Sequence, residues 1–125
     1  WLQYLINEDT TPYAKAQVMV NMNVLARRLN ALKRKGDKVG IISWTSKGGS
    51  EEYNKAVADV KRAWLRKHLK SVEFDSINIV PYGYAKESFA ESENDILFDD
   101  EEHNRIAWTG KAYDVHDILG VLRTV

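Results

Sequence analysis

The sequence predicts a single α/β domain with a parallel sheet. Its 125 residues and 44% hydrophobic content suit one packed core and are too few for two. Short, β-branched apolar runs alternate along the chain with segments of helical periodicity, which is the order of a parallel sheet covered by helices. No repeat, linker or low-complexity tract divides the chain. We therefore expect residues 1–125 to form one domain with helices on both faces of the sheet.

The N-terminal part predicts helices and no strand. Residues 1–6 are apolar and are expected to form a short helix, and residues 7–16 are rich in turn formers and are expected to form a loop. A longer helix is predicted over residues 21–35. Three leucines recur there at the spacing i, i+4, i+7, which is one face of a helix: Leu25, Leu29 and Leu32.

The middle of the chain alternates strand and helix. Residues 38–43, "KVGIIS", are short, apolar and β-branched, and predict a buried strand. Ser50 is the expected cap of a long helix over residues 51–69, because a serine hydroxyl accepts a hydrogen bond from a first-turn amide. A second strand is predicted over residues 76–80, and Pro81 ends it.

The C-terminal third predicts two further strands. A loop over residues 81–92 leads to a third strand at residues 95–98. A helical turn at residues 101–106, a fourth strand at residues 111–115 and a final short helix at residues 116–125 complete the order.

Composition excludes several classes of function. Lys plus Arg and Asp plus Glu each number 18, and this neutral balance argues against broad electrostatic binding of nucleic acid or of an anionic membrane. The chain has no cysteine, so it has neither disulfides nor thiolate chemistry, which is compatible with the expected cytoplasmic location. No apolar run approaches the roughly 18 residues of a membrane span, and no signal peptide is evident.

Polar side chains follow three of the predicted strands. Ser43 ends the first strand, with Thr45 close behind, and the loop after the second strand carries Lys86. Asp99 and Asp100 end the third strand. Ligands bind at the carboxyl ends of the strands in parallel sheets, so these groups are expected to meet at one edge. Hydroxyls, an ammonium and paired carboxylates suit a phosphate ester with Mg²⁺.

The order and spacing of these segments resemble motifs II, III and IV of the haloacid dehalogenase-like (HAD) superfamily. The matching segments are "KVGIISWTS", Lys86 in "PYGYAKESFA", and "DILFDDEEHN". The resemblance covers most of the chain, from about residue 20 to its end. It implies a three-layer, Rossmann-like sheet. It also implies a Mg²⁺-dependent phosphohydrolase, a phosphatase or nucleotidase, that forms an aspartyl-phosphate and acts on a small phosphomonoester.

The resemblance also implies a role for each site residue. Ser43 would bind the phosphoryl group, with Thr45 as the second candidate, and Lys86 would steady the phosphoryl charge and the nucleophile. Asp99 and Asp100 would hold Mg²⁺. In addition, Asn104 would orient part of the site.

One part of the family pattern is missing from this sequence. Motif I is a central strand that ends in Asp-x-Asp and supplies the nucleophile, but the only early carboxylates are Glu8 and Asp9. We therefore expect the first central strand to be absent and about 15–25 residues to precede Trp1 in the intact protein. Otherwise a strand-swapped dimer or another strand order would fill the gap. Without a nucleophile, this chain alone is expected to be inactive.

Other interpretations stay open beside this one. The chain could be a non-catalytic binding or scaffold domain that keeps the fold, or a receiver-like or nucleotide-binding domain. Asp99 and Asp100 could form a solvated turn, and Ser43 and Lys86 could be ordinary strand-end and surface residues. The stretch "SKGGS" lacks the spacing of a phosphate-binding P-loop, and "KRAWLRKHLK" fits the solvated face of a helix.

Overall fold

A computed structural model describes residues 2–7 and 21–125 of the chain. Its centre is a parallel sheet of five strands, in which each strand is parallel to its neighbours. The strands are β1 (Gln3–Ile6), β2 (Lys38–Trp44), β3 (Ser76–Val80), β4 (Ile96–Phe98) and β5 (Ala112–Tyr113). Their spatial order is β3-β2-β1-β4-β5, so β1 is central. The predicted α/β class with a parallel sheet is confirmed, and the arrangement is consistent with a Rossmann-like fold.

The described helices lie close to their predicted positions. They are α1 (Met22–Arg34), α2 (Glu51–His68), α3 (Glu102–Ala107) and α4 (Ile118–Leu122). The side chain of Asn21 caps α1 by accepting hydrogen bonds from two first-turn amides. Ser50 caps α2, as predicted, by accepting from the amide of Tyr53 at 3.1 Å. The leucines predicted to share one face of α1 are all buried.

The N-terminal segment corrects two predictions. Residues 3–6 form a strand and not a helix, and they hold the central position that was expected to be empty. All four residues of β1 are buried, because neighbouring strands pair with both of its edges and side chains pack on both of its faces. A short, mainly apolar segment of this length fits a buried parallel strand as well as a helix, so periodicity could not separate the two. The described fold therefore needs no strand swap to complete its sheet.

The two faces of the sheet bury different amounts of side chain. Because side chains alternate along a strand, Tyr4 and Ile6 face one side and Leu5 the other. The first side packs against α1, α4 and the end of α2, and forms the larger core. The second carries a small cluster of Leu5, Ile42, Leu97 and Trp108. The two longest described helices thus contribute to one face, and Trp108, directly after α3, contributes to the other.

Several boundaries in the C-terminal half differ from the prediction. The fourth predicted strand, residues 111–115, is reduced to the two residues of β5, and the loop over residues 81–92 contains a 3-10 turn at Lys86–Phe89. The last predicted helix is interrupted as well: a 3-10 turn at Val115–Asp117 precedes α4. The loop predicted over residues 7–16 lies, apart from Asn7, outside the described residues. None of the helices in the described ranges has the length and apolar character needed to cross a membrane.

Candidate phosphate-binding pocket

A pocket of about 250 Å³ opens at the carboxyl edge of the sheet. Four of the residues predicted from the sequence line it: Ser43, Thr45, Lys86 and Asp100. They come from β2 and the residue after it, from the 3-10 turn after β3 and from the loop after β4. The rule that strand ends converge at one edge therefore located these residues correctly. Asp99 is not among the lining residues.

Ser43 and Thr45 form the β2 side of the pocket. Both are buried, with exposed fractions of 2% and 7%. The backbone amide of Thr45 donates to the carbonyl oxygen of Val80 at 2.8 Å, which fixes the chain after the strand. The Thr45 hydroxyl has no hydrogen-bond partner among the described residues. An unsatisfied buried hydroxyl is costly, so this group is ready to bond an oxygen of a ligand.

Lys86 forms an ion pair with Asp99 behind the pocket. Its ammonium lies 2.6 Å from Asp99 Oδ2, and the two side chains are 2% and 0% exposed. Asp99 Oδ1 accepts from the amide of Glu101 at 2.9 Å, and Asn104 Nδ2 donates to Asp99 Oδ2 at 3.3 Å. Both oxygens of Asp99 are thus bonded to protein. The lysine also lies 4.8 Å from the ring centroid of Trp44, on the pocket side.

Asp100 is the aspartate that reaches the pocket. Its Oδ1 accepts a hydrogen bond from Asn7 Nδ2 at 3.1 Å. Asn7 directly follows the central strand, and its backbone N–H donates to the carbonyl oxygen of Phe98 at 2.8 Å. Asn7 and Glu101 also line the pocket. A carboxamide therefore lies at the end of the central strand, beside the carboxylate of Asp100.

These residues match Mg²⁺ chemistry only in part. The described residues contain no cluster of three or more acidic or histidine side chains suited to one metal ion. Magnesium is commonly held by one or two carboxylates together with substrate phosphate and water, and Asp100 and Glu101 could supply those carboxylates. Asp99 could act as a ligand only after exchanging a contact with its present partners. The assignment of Mg²⁺ to Asp99 and Asp100 stays a prediction.

Lys61 is a pocket residue that the sequence analysis missed. It lies on α2 with only 7% of its surface exposed, and its ammonium donates to Ser43 Oγ at 2.6 Å and to the carbonyl of Trp44 at 2.7 Å. The basic stretch around it resembled a solvated helix face. Its spacing held a signal, since Lys61 falls four residues after the buried Val57 and three before the buried Trp64.

Aromatic side chains form one rim of the pocket. The Trp44 ring lies 4.9 Å from that of Tyr82 and 5.7 Å from that of His103. The indole Nε1 of Trp44 donates to the carbonyl of Tyr84 at 2.8 Å, which holds the ring in place. These rings form an aromatic border next to the charged residues of the pocket.

Asp95 is a buried carboxylate at the opposite edge of the sheet. It accepts five hydrogen bonds, from the amide and side chain of Gln3, the amide of Glu91, and the amide and hydroxyl of Ser92. Burial alone raises the pKa of Asp95, but these hydrogen bonds outweigh it and leave the pKa below its ordinary value. Asp95 ties the start of β1 to the start of β4 and has no part in the pocket.

Fold and pocket together define an α/β domain with a five-stranded parallel sheet and a polar site at its carboxyl edge. No family model matches the sequence, and a comparison with curated proteins gives no match.

Proposed function

We propose that this pocket binds the phosphoryl group of a small phosphomonoester, and that its site is of the type found in Mg²⁺-dependent phosphohydrolases of the HAD superfamily. One observation supports this most strongly. Ser43, Lys86 and Asp100 resemble residues of three family motifs, lie far apart in the sequence, and line one pocket. A phosphoryl group needs hydrogen-bond donors and positive charge, and this pocket has both.

The proposed roles follow from the contacts. The hydroxyls of Ser43 and Thr45 donate to phosphoryl oxygens. Lys86 contributes positive charge next to the pocket and also holds Asp99, which in turn accepts the amide hydrogen bond that orders Glu101. Asp100 would hold Mg²⁺, which would offset negative charge on the phosphate when bound.

Hydrolysis by the HAD route needs a carboxylate at the end of the central strand. A carboxylate oxygen attacks phosphorus and the bond to the ester oxygen breaks, so that the ester oxygen leaves as an alcohol after taking a proton from water. A second water then hydrolyses the aspartyl-phosphate, which releases inorganic phosphate and regenerates the carboxylate. Among the described residues, Asn7 stands at that strand end. An amide is a much poorer nucleophile than a carboxylate. This observation favours a second candidate function, a phosphomonoester-binding domain without turnover.

A gain-of-function variant tests these candidates. Asp9 follows Asn7 by two residues, so the variant Asn7→Asp gives the sequence the Asp-x-Asp pattern of the family. We expect the wild-type chain to hydrolyse p-nitrophenyl phosphate negligibly and Asn7→Asp to hydrolyse it measurably, with a requirement for Mg²⁺. The matched control is Asn23→Asp, which makes the same change at an exposed position of α1 and should stay inactive.

The outcomes separate the two candidates. If the wild type hydrolyses p-nitrophenyl phosphate with Mg²⁺, the protein is a phosphohydrolase. If the wild type binds inorganic phosphate without turnover, it is a binding domain, and activity of Asn7→Asp then shows that a missing carboxylate is the reason. If neither protein binds phosphate, the assignment of the pocket is wrong. The expected cytoplasmic location and the assembly into a homo-oligomer stay predictions.

A further inference from the structure

Lys61 and Lys86 are both buried lysines at the pocket, but their surroundings differ. Lys86 is paired with the carboxylate of Asp99 at 2.6 Å. Lys61 donates to the hydroxyl of Ser43, the residue proposed to bind phosphate, and to the carbonyl of Trp44. Lys61 therefore contacts a proposed phosphate-binding group directly, whereas Lys86 contacts Asp99.

The bond from Lys61 determines what Ser43 can do. An ammonium only donates hydrogen bonds, so the Ser43 oxygen is the acceptor in this contact. The serine hydrogen is then directed away from Lys61 and can be donated to another oxygen. A phosphoryl oxygen bonded to Ser43 would lie roughly 4–5 Å from the Lys61 ammonium, given two ordinary hydrogen-bond lengths. Opposite charges attract strongly at that distance in a partly buried site.

Thr45 provides a second and independent observation. It lines the same pocket, is 7% exposed, and its hydroxyl lacks a partner in the part of the chain that the structure describes. Lys61, Ser43 and Thr45 all line the pocket, and they come from α2, from β2 and from the residue after β2.

We infer that Lys61, Ser43 and Thr45 form the end of the pocket that binds the anion, and that Lys61 is a positioning residue for Ser43 and a source of charge for a bound phosphoryl group. This inference rests on the proposed phosphate binding and assigns it to particular groups. Lys86 then serves mainly to neutralise and hold Asp99.

Titration with inorganic phosphate, followed by calorimetry, tests the inference. Lys61→Gln keeps a hydrogen-bond donor and removes the charge, and we expect it to raise the Kd for phosphate at least tenfold. Lys61→Arg keeps the charge and should recover part of the loss. Lys67→Gln, at an exposed position of the same helix, is the matched control and should bind like the wild type.

Thr45→Val supplies a test that does not depend on the folding of the Lys61 variants. Removing an unpartnered buried hydroxyl should leave the thermal midpoint unchanged or higher, whereas the Kd for phosphate should rise several-fold. A purely structural role for Thr45 would instead lower the midpoint and leave the Kd unchanged. Normal phosphate affinity in Thr45→Val, and in every Lys61 variant that folds, would overturn the inference while the proposed function stands. If the wild type does not bind phosphate, the proposed function fails first, and this inference fails with it.

Discussion

The ammonium of Lys86 lies 2.6 Å from the carboxylate of Asp99, and the two side chains are almost completely enclosed. The contact ties the 3-10 turn after β3 to the end of β4. Asp99 also accepts hydrogen bonds from Glu101 and Asn104, so its contacts hold the loop that carries Asp100. Asp99 therefore stabilises the fold, whereas Asp100 lines the pocket.

Breaking this pair should strongly destabilise the protein. Lys86→Met leaves the Asp99 carboxylate buried without its cation, and such a loss costs about 3–5 kcal/mol. Urea unfolding of the variant measures the free energy of unfolding. The double variant Lys86→Met with Asp99→Asn should recover much of the loss, because it leaves no uncompensated charge. A change below about 1 kcal/mol in the single variant would contradict the structural role of the pair.

Asp99 and Asp100 should respond differently to the same substitution. Asp100→Asn should remove the enhancement of phosphate affinity by Mg²⁺, since it is the aspartate that lines the pocket. Its free energy of unfolding should change by no more than about 1 kcal/mol. Asp99→Asn should instead lower the free energy of unfolding, because Lys86 loses its partner. Calorimetry with and without Mg²⁺, beside urea unfolding, measures both effects. If Mg²⁺ enhances phosphate binding equally in the wild type and in Asp100→Asn, the metal assignment of Asp100 is wrong.

The stabilisation provided by Asp95 should depend on pH. Its pKa is lowered in the folded protein, so the ionised form favours folding above the unfolded pKa, which is about 3.9. This contribution is lost as the pH falls from there through the folded pKa. Asp95→Asn should cost about 1–3 kcal/mol at neutral pH, and its difference from the wild type should shrink in acid. Asp59→Asn, at an exposed position of α2, is the control and should show neither effect.

The side-chain cap of α2 at Ser50 should make a modest contribution to the free energy of unfolding. Ser50→Ala removes the hydrogen bond to the amide of Tyr53 and should cost about 0.5–2 kcal/mol. Ser50→Asp keeps an acceptor at the same position and should stay close to the wild type. Thermal unfolding monitored by circular dichroism compares the three proteins. Equal midpoints for all three would show that the cap is not needed.

The sequence predicted the larger elements and four of the residues that line the pocket, for reasons that particular residues make clear. The leucine period of α1, the cap at Ser50 and the apolar run of β2 are local signals. The convergence of Ser43, Lys86 and Asp100 follows from a general rule of parallel sheets. By contrast, the four residues of β1 are too few to show a period, and only pairing with β2 and β4 determines that they form a strand.

Other features depend on tertiary packing. Asp99 and Asp100 are chemically identical in the sequence, and only the paths of β4 and the following loop decide which one is enclosed. Lys61 looks like a solvated residue of a basic helix until α2 packs beside the end of β2. The side chain of Asn7 lines the pocket because β1 is the central strand and Asn7 follows it. The sequence does not reveal this position, since it depends on the order of the strands in the sheet.

The most direct test of phosphate binding is a titration of the ¹⁵N-labelled protein with inorganic phosphate, monitored by amide NMR shifts. We predict saturable shifts at residues 43–47 and 99–101, which border the pocket, and none at residues 110–111, at the other end of the sheet. An equal concentration of chloride controls for ionic strength. Absence of saturable shifts, or shifts confined to the other edge, would contradict the assignment of this pocket as a phosphate site.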